Sequence, residues 1–342
     1  MIKFDFCIGN PPYQDNTIGN NDNFAPPVYD KFIDGACSVA SIVELIHPAR
    51  FLFNAGSTQK KWNRKMLNDP HFKILSYEPL SQKIFSNTDI KGGLAISFRN
   101  RFEYFGRIGV FTAYKELNSI VNRLKNYKYI SFSTIVYPRS SYMLQESLFE
   151  EYPDLVKRLN CSKNLETNIF DSLPNLFFDK KPNDGEEYCC LLGRQKNERV
   201  YKYIKLKYID VPDNYYKYKV IIPKSNGSGA IGEVLSTPLI GTPLIGHTQT
   251  FLSIGAFKTR NEAENTLKYV KSKFARVLLG VLKITQDNPP EKWQYVPLQD
   301  FTEASDINWN TTVHEIDLQL YKKYGLDKDE IDFIETHVKA ME

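Results

Sequence analysis

The sequence predicts a mixed α/β protein: half of a doubly wound sheet, then an α+β region, then a short helical tail. Three observations lead there. Up to about residue 112, short apolar runs alternate with helically spaced segments, the pattern of strands joined by crossover helices. From residue 113 that regularity gives way to aromatic-rich stretches punctuated by Pro and Gly. Residues 301–342 carry two helically spaced segments, with a stop signal at Gly325 and a start signal at Asp327, and no strand pattern.

At 342 residues the chain is long enough for two domains, placed at 1–112 and 113–300, with the tail over 301–342. Hydrophobic residues make up 42% and aromatic residues 13%, sufficient for a proper core. A net charge of +4 is too mild to decide on a polyanionic partner by itself. No apolar run approaches the ~20 residues of a membrane span, and the first strand begins at once, so neither a span nor a signal peptide is expected. Five cysteines without C-x-x-C spacing point to reduced thiols in a cytoplasm and against a zinc site. The histidines are scattered, and His314-Glu315 lacks the second His of a zinc-protease helix, so no metal is expected.

Residues 4–9 read as a buried strand that Asn10-Pro11-Pro12-Tyr13 stops. The two prolines fix a rigid extended turn at the strand end, where ligands bind in open α/β sheets. An amide, free carbonyls and an aromatic face suit a planar base with an exocyclic amine. The Asn10 side-chain oxygen and the Pro11 carbonyl accept the two amine hydrogens, and Tyr13 stacks on the ring. This keeps the nitrogen lone pair free to attack an electrophilic methyl group. Residues 14–23 form a polar loop, either a closing flap or an ordinary connection.

Pro26-Pro27 open a helix through Tyr29, Phe32, Ile33 and Ala36. Residues 42–48 are a second strand, ended by Pro48. Arg50-Phe51-Leu52 and Gly56 then lead to a helix with Trp62, Met66 and Leu67. A third strand covers 72–77, and a fourth, 89–98, is expected to pair with 107–112. Gly92-Gly93 within it signals a bulge or a close backbone approach.

Residues 117–128 form a linking helix, and a short helix is expected around 154–159. Residues 194–224 hold nine Lys/Arg (Arg194, Lys196, Arg199, Lys202, Lys205, Lys207, Lys217, Lys219, Lys224) against three acids, with six tyrosines interleaved. Residues 201–208 read as a strand with one basic side, suited to phosphates, or as a solvated sheet edge. Gly227-Ser228-Gly229-Ala230-Ile231-Gly232 fits G-x-G-x-x-G but opens no helix and has no acid at the required distance, so it reads as a loop. Residues 247–254 are a strand in which His247 and Gln249 either contact a ligand or hydrogen-bond their own loop. Thr259 and Glu262 form a capping box for one long helix with Ala263, Leu267, Val270, Phe274, Leu278 and Val281 on its inner face. Lys268, Lys271, Lys273 and Arg276 flank that face. Asn288-Pro289-Pro290-Glu291 repeats the first motif with neither strand nor aromatic, and reads as a turn. In the tail, Gly325 ends one helix, and Asp327 with Glu330 starts the other.

A strand ending in Asn10-Pro11-Pro12-Tyr13 resembles the catalytic motif of S-adenosylmethionine-dependent amino methyltransferases, chiefly those acting on adenine N6 in DNA. Segments 42–52, 89–94 and Gly246-His247-Thr248 with Thr250-Phe251 resemble parts of the large restriction-modification methylases of the Eco57I type. The resemblance implies a partial Rossmann-like sheet with Asn10, Pro11, Pro12 and Tyr13 as its catalytic turn. It implies an adenine flipped out of double-stranded DNA, with 113–300 as the target recognition domain and the basic residues of 194–224 on the DNA. The donor would be S-adenosylmethionine, expected on a Gly-rich turn followed by an acid. That half precedes the motif in most relatives with a C-terminal recognition domain, and only nine residues precede Asn10 here. It would then lie outside these residues, on a partner chain, and a nuclease subunit is a further expected partner. Alternatives stay open: a DNA-binding component without methylation of its own, or a methyltransferase for RNA or for protein glutamine.

Overall fold

The computed structural model describes residues 4–15, 25–54, 56–87, 90, 92–225, 231–283 and 286–341. The chain divides into two units, Met1–Asn122 and Arg123–Glu342.

In the first unit, β1 (Phe4–Gly9), α1 (Tyr29–Val39) and β2 (Ala40–Pro48) form a βαβ segment. β1 and β2 run parallel, with Phe6 opposite Ile42 and Gly9 opposite Leu45. Helix α2 (Lys60–Leu67) and strands β3 (Phe72–Glu78) and β4 (Leu94–Asn100) complete it. The sheet order is β1-β2-β4-β3, with β4 antiparallel to both its neighbours. Alternation along β2 sends Val43 and Leu45 into a core with Ile33 of α1, Trp62 and Met66 of α2, Phe51 and Phe72. On the edge strand β1, the alternate residues Phe4, Phe6 and Ile8 are exposed.

The expected pairing of the fourth strand is corrected here. β4 pairs with β2 and β3, and 107–112 contains no strand. The strand cannot begin at 89, because Gly92 and Gly93 take positive φ of 91° and 76°, outside the extended region. A side chain at Gly93 would put its Cβ 2.3 Å from the Glu78 carbonyl oxygen. Gly93 is therefore a close backbone approach, while Gly92 lies against the Arg50 side chain. Residues 16–23 of the polar loop, and Asp89 and Lys91, lie outside the described residues. Helix α3 (Lys115–Leu124) follows the first unit's sheet.

The second unit opens with β5 (Val136–Tyr137), β6 (Met143–Leu144), α4 (Glu146–Glu151), α5 (Asp154–Arg158) and α6 (Ile169–Ser172). β7 (Tyr188–Gln195), β8 (Glu198–Lys205), β9 (Ile209–Asp210) and β10 (Tyr218–Pro223) follow. Next come β11 (Leu239–Gly241), β12 (Ile245–His247) and β13 (Phe251–Phe257). Last are α7 (Arg260–Lys271), α8 (Lys273–Gly280), α9 (Val313–Lys323) and α10 (Lys328–His337). One sheet has the order β11-β10-β13-β5, another β12-β7-β8, and β6 pairs with β9. Tyr142, Leu144, Phe170, Leu191, Ile204 and Tyr215 centre one apolar cluster.

Two expectations change. The single strand over 247–254 is the end of β12 and the start of β13. The long helix breaks at Ser272, whose side chain accepts from the Ala275 N–H and starts α8. Asp317 of α9 also accepts the Lys273 and Phe274 N–H groups, at 3.0 and 2.9 Å. These partners satisfy donors that a continuous helix would have bonded internally. In the tail the expected capping box of Asp327 with Glu330 is formed, and a second, Thr312 with Glu315, starts α9.

Candidate active site

Asn10-Pro11-Pro12-Tyr13 leaves the end of β1 and is held by the segment that enters α1. The Val28 N–H donates to the Tyr13 carbonyl (3.2 Å) and the Asp15 N–H to the Pro26 carbonyl (2.9 Å). Pro26 has no N–H, so it acts here as an acceptor only. The clasp fixes the C-terminal end of the turn, and the pairing of Gly9 with Leu45 holds the strand end before it, neither using the Asn10 side chain. Asn10 and Pro12 are exposed, and Pro11 and Tyr13 half-buried. The Tyr13 hydroxyl is shielded from solvent and makes no well-aligned hydrogen bond among the described residues. Burial raises its pKa, and the Asn10 side chain beside it partly offsets the rise. A cleft of about 540 Å³ opens beside the turn, between β1 and α1, with Asn10, Pro11, Phe32, Ala36 and Leu45 in its wall.

Behind the turn lies a packed layer that the sequence pattern did not single out. Tyr29 stacks on His47 at 6.1 Å, and Phe51 meets Trp62 edge-on at 4.9 Å. His47 is fully buried, and burial pushes its pKa down to about 4. It is therefore neutral. Nδ1 lies 3.1 Å from the Pro48 carbonyl, which can only accept, so Nδ1 carries the proton and Nε2 accepts from Ser97 Oγ at 2.8 Å. This side chain anchors β2 to β4. Pro26-Pro27 was the available signal for the clasp, whereas nothing in the spacing marked His47.

The basic residues of 194–224 are not brought together as one face. Lys202 pairs with Asp179 at 2.5 Å, Lys205 with Glu186 at 3.1 Å and Lys207 with Glu151 at 2.8 Å. Strand alternation puts Lys202 and Lys205 on opposite sides of β8, so the expected single basic side is absent. Arg194 donates to the Asn197 carbonyl, and Arg199 to the Ser236 and Thr237 carbonyls. Lys219 is fully buried, its ammonium donating to the Tyr215, Lys217 and Thr242 carbonyls, and burial pushes its pKa down to about 8. Lys196 and Lys217 are exposed and Lys224 half-buried. His247 is buried, its Nδ1 toward the Thr248 carbonyl and its Nε2 on Ser253 Oγ at 3.1 Å, so it bonds its own loop.

The donor expected for this chemistry finds no matching cradle among the described residues. Of the G-x-G-x-x-G stretch, 227–230 lies outside them. Gly232 is packed against Val338, its carbonyl accepts from Arg276, and no helix starts there. Also among the described residues, no helix is long and apolar enough to cross a membrane, and no group of three His, Cys, Asp or Glu could hold a metal ion.

The model of the Eco57I restriction-modification methylase family matches residues 1–85. An uncharacterized adenine-specific methylase of Mycoplasma pneumoniae is 29% identical over 96 residues, 28% of this chain and 23% of that protein. The match thus spans about a quarter of that curated relative. The solved type IIG restriction endonuclease BpuSI is 12% identical, with a TM-score of 0.33, over 86% of this chain and 46% of that one. The ATP-dependent Type ISP restriction-modification enzyme LlaBIII, solved bound to DNA, is 12% identical, with a TM-score of 0.27, over 98% and 30%.

Proposed function

Residues 1–85 are those of the Eco57I restriction-modification methylase family, and from that premise we propose that this chain supplies the amine-holding turn of a DNA adenine-N6 methyltransferase. One observation carries the proposal: Asn10-Pro11-Pro12-Tyr13 stands at the end of a parallel strand, its start following the Gly9–Leu45 pairing and its far end clasped to the segment entering α1, with Asn10 left exposed. Asn10 Oδ1 and the Pro11 carbonyl accept the two hydrogens of a flipped adenine amine, and Tyr13 covers the ring. Pro12 keeps the two acceptors at a fixed spacing. S-adenosylmethionine supplies the electrophilic methyl group, from residues outside those described. In this reading the parallel β1–β2 pair belongs to a partial doubly wound, Rossmann-like sheet that ends at the catalytic turn. In this reading 1–112 is the catalytic half, 113–300 recognises duplex DNA in the cytoplasm, and 301–342 is a structural tail.

The test is made in cells, since the target sequence is unknown. The gene is expressed with its neighbouring reading frames, and N6-methyladenine is mapped by sequencing. Asn10→Ala should erase the modified sites while the purified chain binds duplex DNA as before. Undiminished methylation by Asn10→Ala would refute the assignment. A second reading, a DNA-binding component that methylates nothing, is favoured by the lack of a donor cradle among the described residues. It predicts no modified sites even with the unaltered gene.

A further inference from the structure

We propose that the DNA-contacting surface of the second unit centres on Arg139 and Lys224, in a cleft walled by the Asn288-Pro289-Pro290-Glu291 turn, and not on β8. The inference rests on the DNA-directed reading above. β5 and β10 are both antiparallel to β13, so they leave the sheet at the same end, beside the start of β13. β5 is followed there by Pro138-Arg139-Ser140 and β10 by Lys224, with Leu252 between them. The 288–291 turn is tied to this end: the Asn288 N–H donates to the Lys224 carbonyl at 2.7 Å, and its side-chain amide to the Pro223 carbonyl at 3.3 Å. Together they enclose a cleft of about 380 Å³, with Asp287 and Glu291 also in its wall.

The charges decide between the two surfaces. On and beside β8, Lys202, Lys205 and Lys207 are already paired with Asp179, Glu186 and Glu151, and Arg194 and Arg199 are bonded to backbone carbonyls. Arg139 and Lys224 form no ion pair among the described residues, and neither do Asp287 and Glu291. A small anion would meet two carboxylates here as well as two cations. A nucleic-acid strand satisfies both signs: its phosphates meet Arg139 and Lys224, while Asp287 and Glu291 accept from base amines such as cytosine N4. Pro289 and Pro290 stiffen the turn that carries those acceptors.

The test is binding of random-sequence duplex DNA to the full chain, by fluorescence anisotropy across a salt series. Arg139→Ala/Lys224→Ala should weaken binding at least about tenfold and lower the log–log salt slope by about 2, the loss of two phosphate contacts. Lys202→Ala/Lys205→Ala/Lys207→Ala should bind within about twofold of the unaltered chain. Near-ultraviolet circular dichroism checks that both variants are folded. Unchanged affinity in the double variant, or an equal loss in the triple one, overturns the inference and leaves the proposed function standing. If the unaltered chain binds no duplex at all, the DNA-directed reading itself fails.

Discussion

Gly93→Ala should destabilise the first unit by about 3 kcal/mol or more. The residue has φ +76°, which costs a side-chain-bearing residue ~1–2 kcal/mol. Its new Cβ would also lie 2.3 Å from the Glu78 carbonyl oxygen and 2.7 Å from Pro79 Cα. Both are backbone atoms, so β3 and β4 must separate, at the ~1–3 kcal/mol typical of overpacking. Gly106 provides the control: its φ is +84°, but a Cβ there meets nothing within 4 Å. Gly106→Ala therefore carries only the backbone cost. Hydrogen exchange of the β2 and β4 amides reads the opening free energy of this unit directly. Gly93→Ala should speed that exchange on the order of 10²-fold, and Gly106→Ala about tenfold. Equal acceleration by the two substitutions would refute the argument that Gly93 exists for a close backbone approach.

Acidification should loosen the first unit through His47, whose pKa is held at about 4 in the fold. An unfolded chain takes up that proton near 6.5, so between about pH 6.5 and 4 the unfolded state binds more protons and stability falls as pH falls. The loss reaches about 2 kcal/mol by pH 5, measurable by β4 exchange. Asp317, which burial pushes up to about 6, has the opposite sign between about pH 6 and 4, and should partly cancel the matching effect of His247 in the second unit. Arg276→Met removes a buried guanidinium that donates to the Lys271, Gly232, Glu233 and Lys339 carbonyls. It should cost at least about 3 kcal/mol in urea denaturation, because those acceptors lose their donor. Thr312→Ala, which opens the capping box of α9, should cost about 1 kcal/mol in the same assay.

The elements that announced themselves locally are present. β1, α1, β2, α2 and β3 form from short-range pattern, and Asp327 starts α10 because its cap needs only residues three apart. What failed was non-local. Nothing in residues 94–100 says that they lie between β2 and β3, since their alternation fits any antiparallel partner. Ser272 looked like one polar position in a helix, and its capping role depends also on Asp317 arriving from another helix. At the candidate site, Asn10 to Tyr13 could be singled out because two prolines after an apolar run are rare and chemically specific. The charge environment of the basic stretch was not legible, for a physical reason. Lysine count along a strand does not reveal which carboxylates the fold brings alongside, and Asp179, Glu186 and Glu151 come from elsewhere in the sequence.

The placement of β4 has a consequence for the order of events on the ribosome. The strand that completes the middle of the first sheet is the last of its four to be synthesised. Until residue 100 has emerged, β2 and β3 have no strand between them, and the His47–Ser97 bond cannot form. The nascent chain can then assemble only the βαβ unit that carries Asn10, and the free side of β2 waits unpaired. An expression fragment ending at residue 85, the limit of the family match, would freeze the chain in that condition. A fragment carried through residue 122 should give a protected sheet, and the shorter one an exchanging, aggregation-prone product.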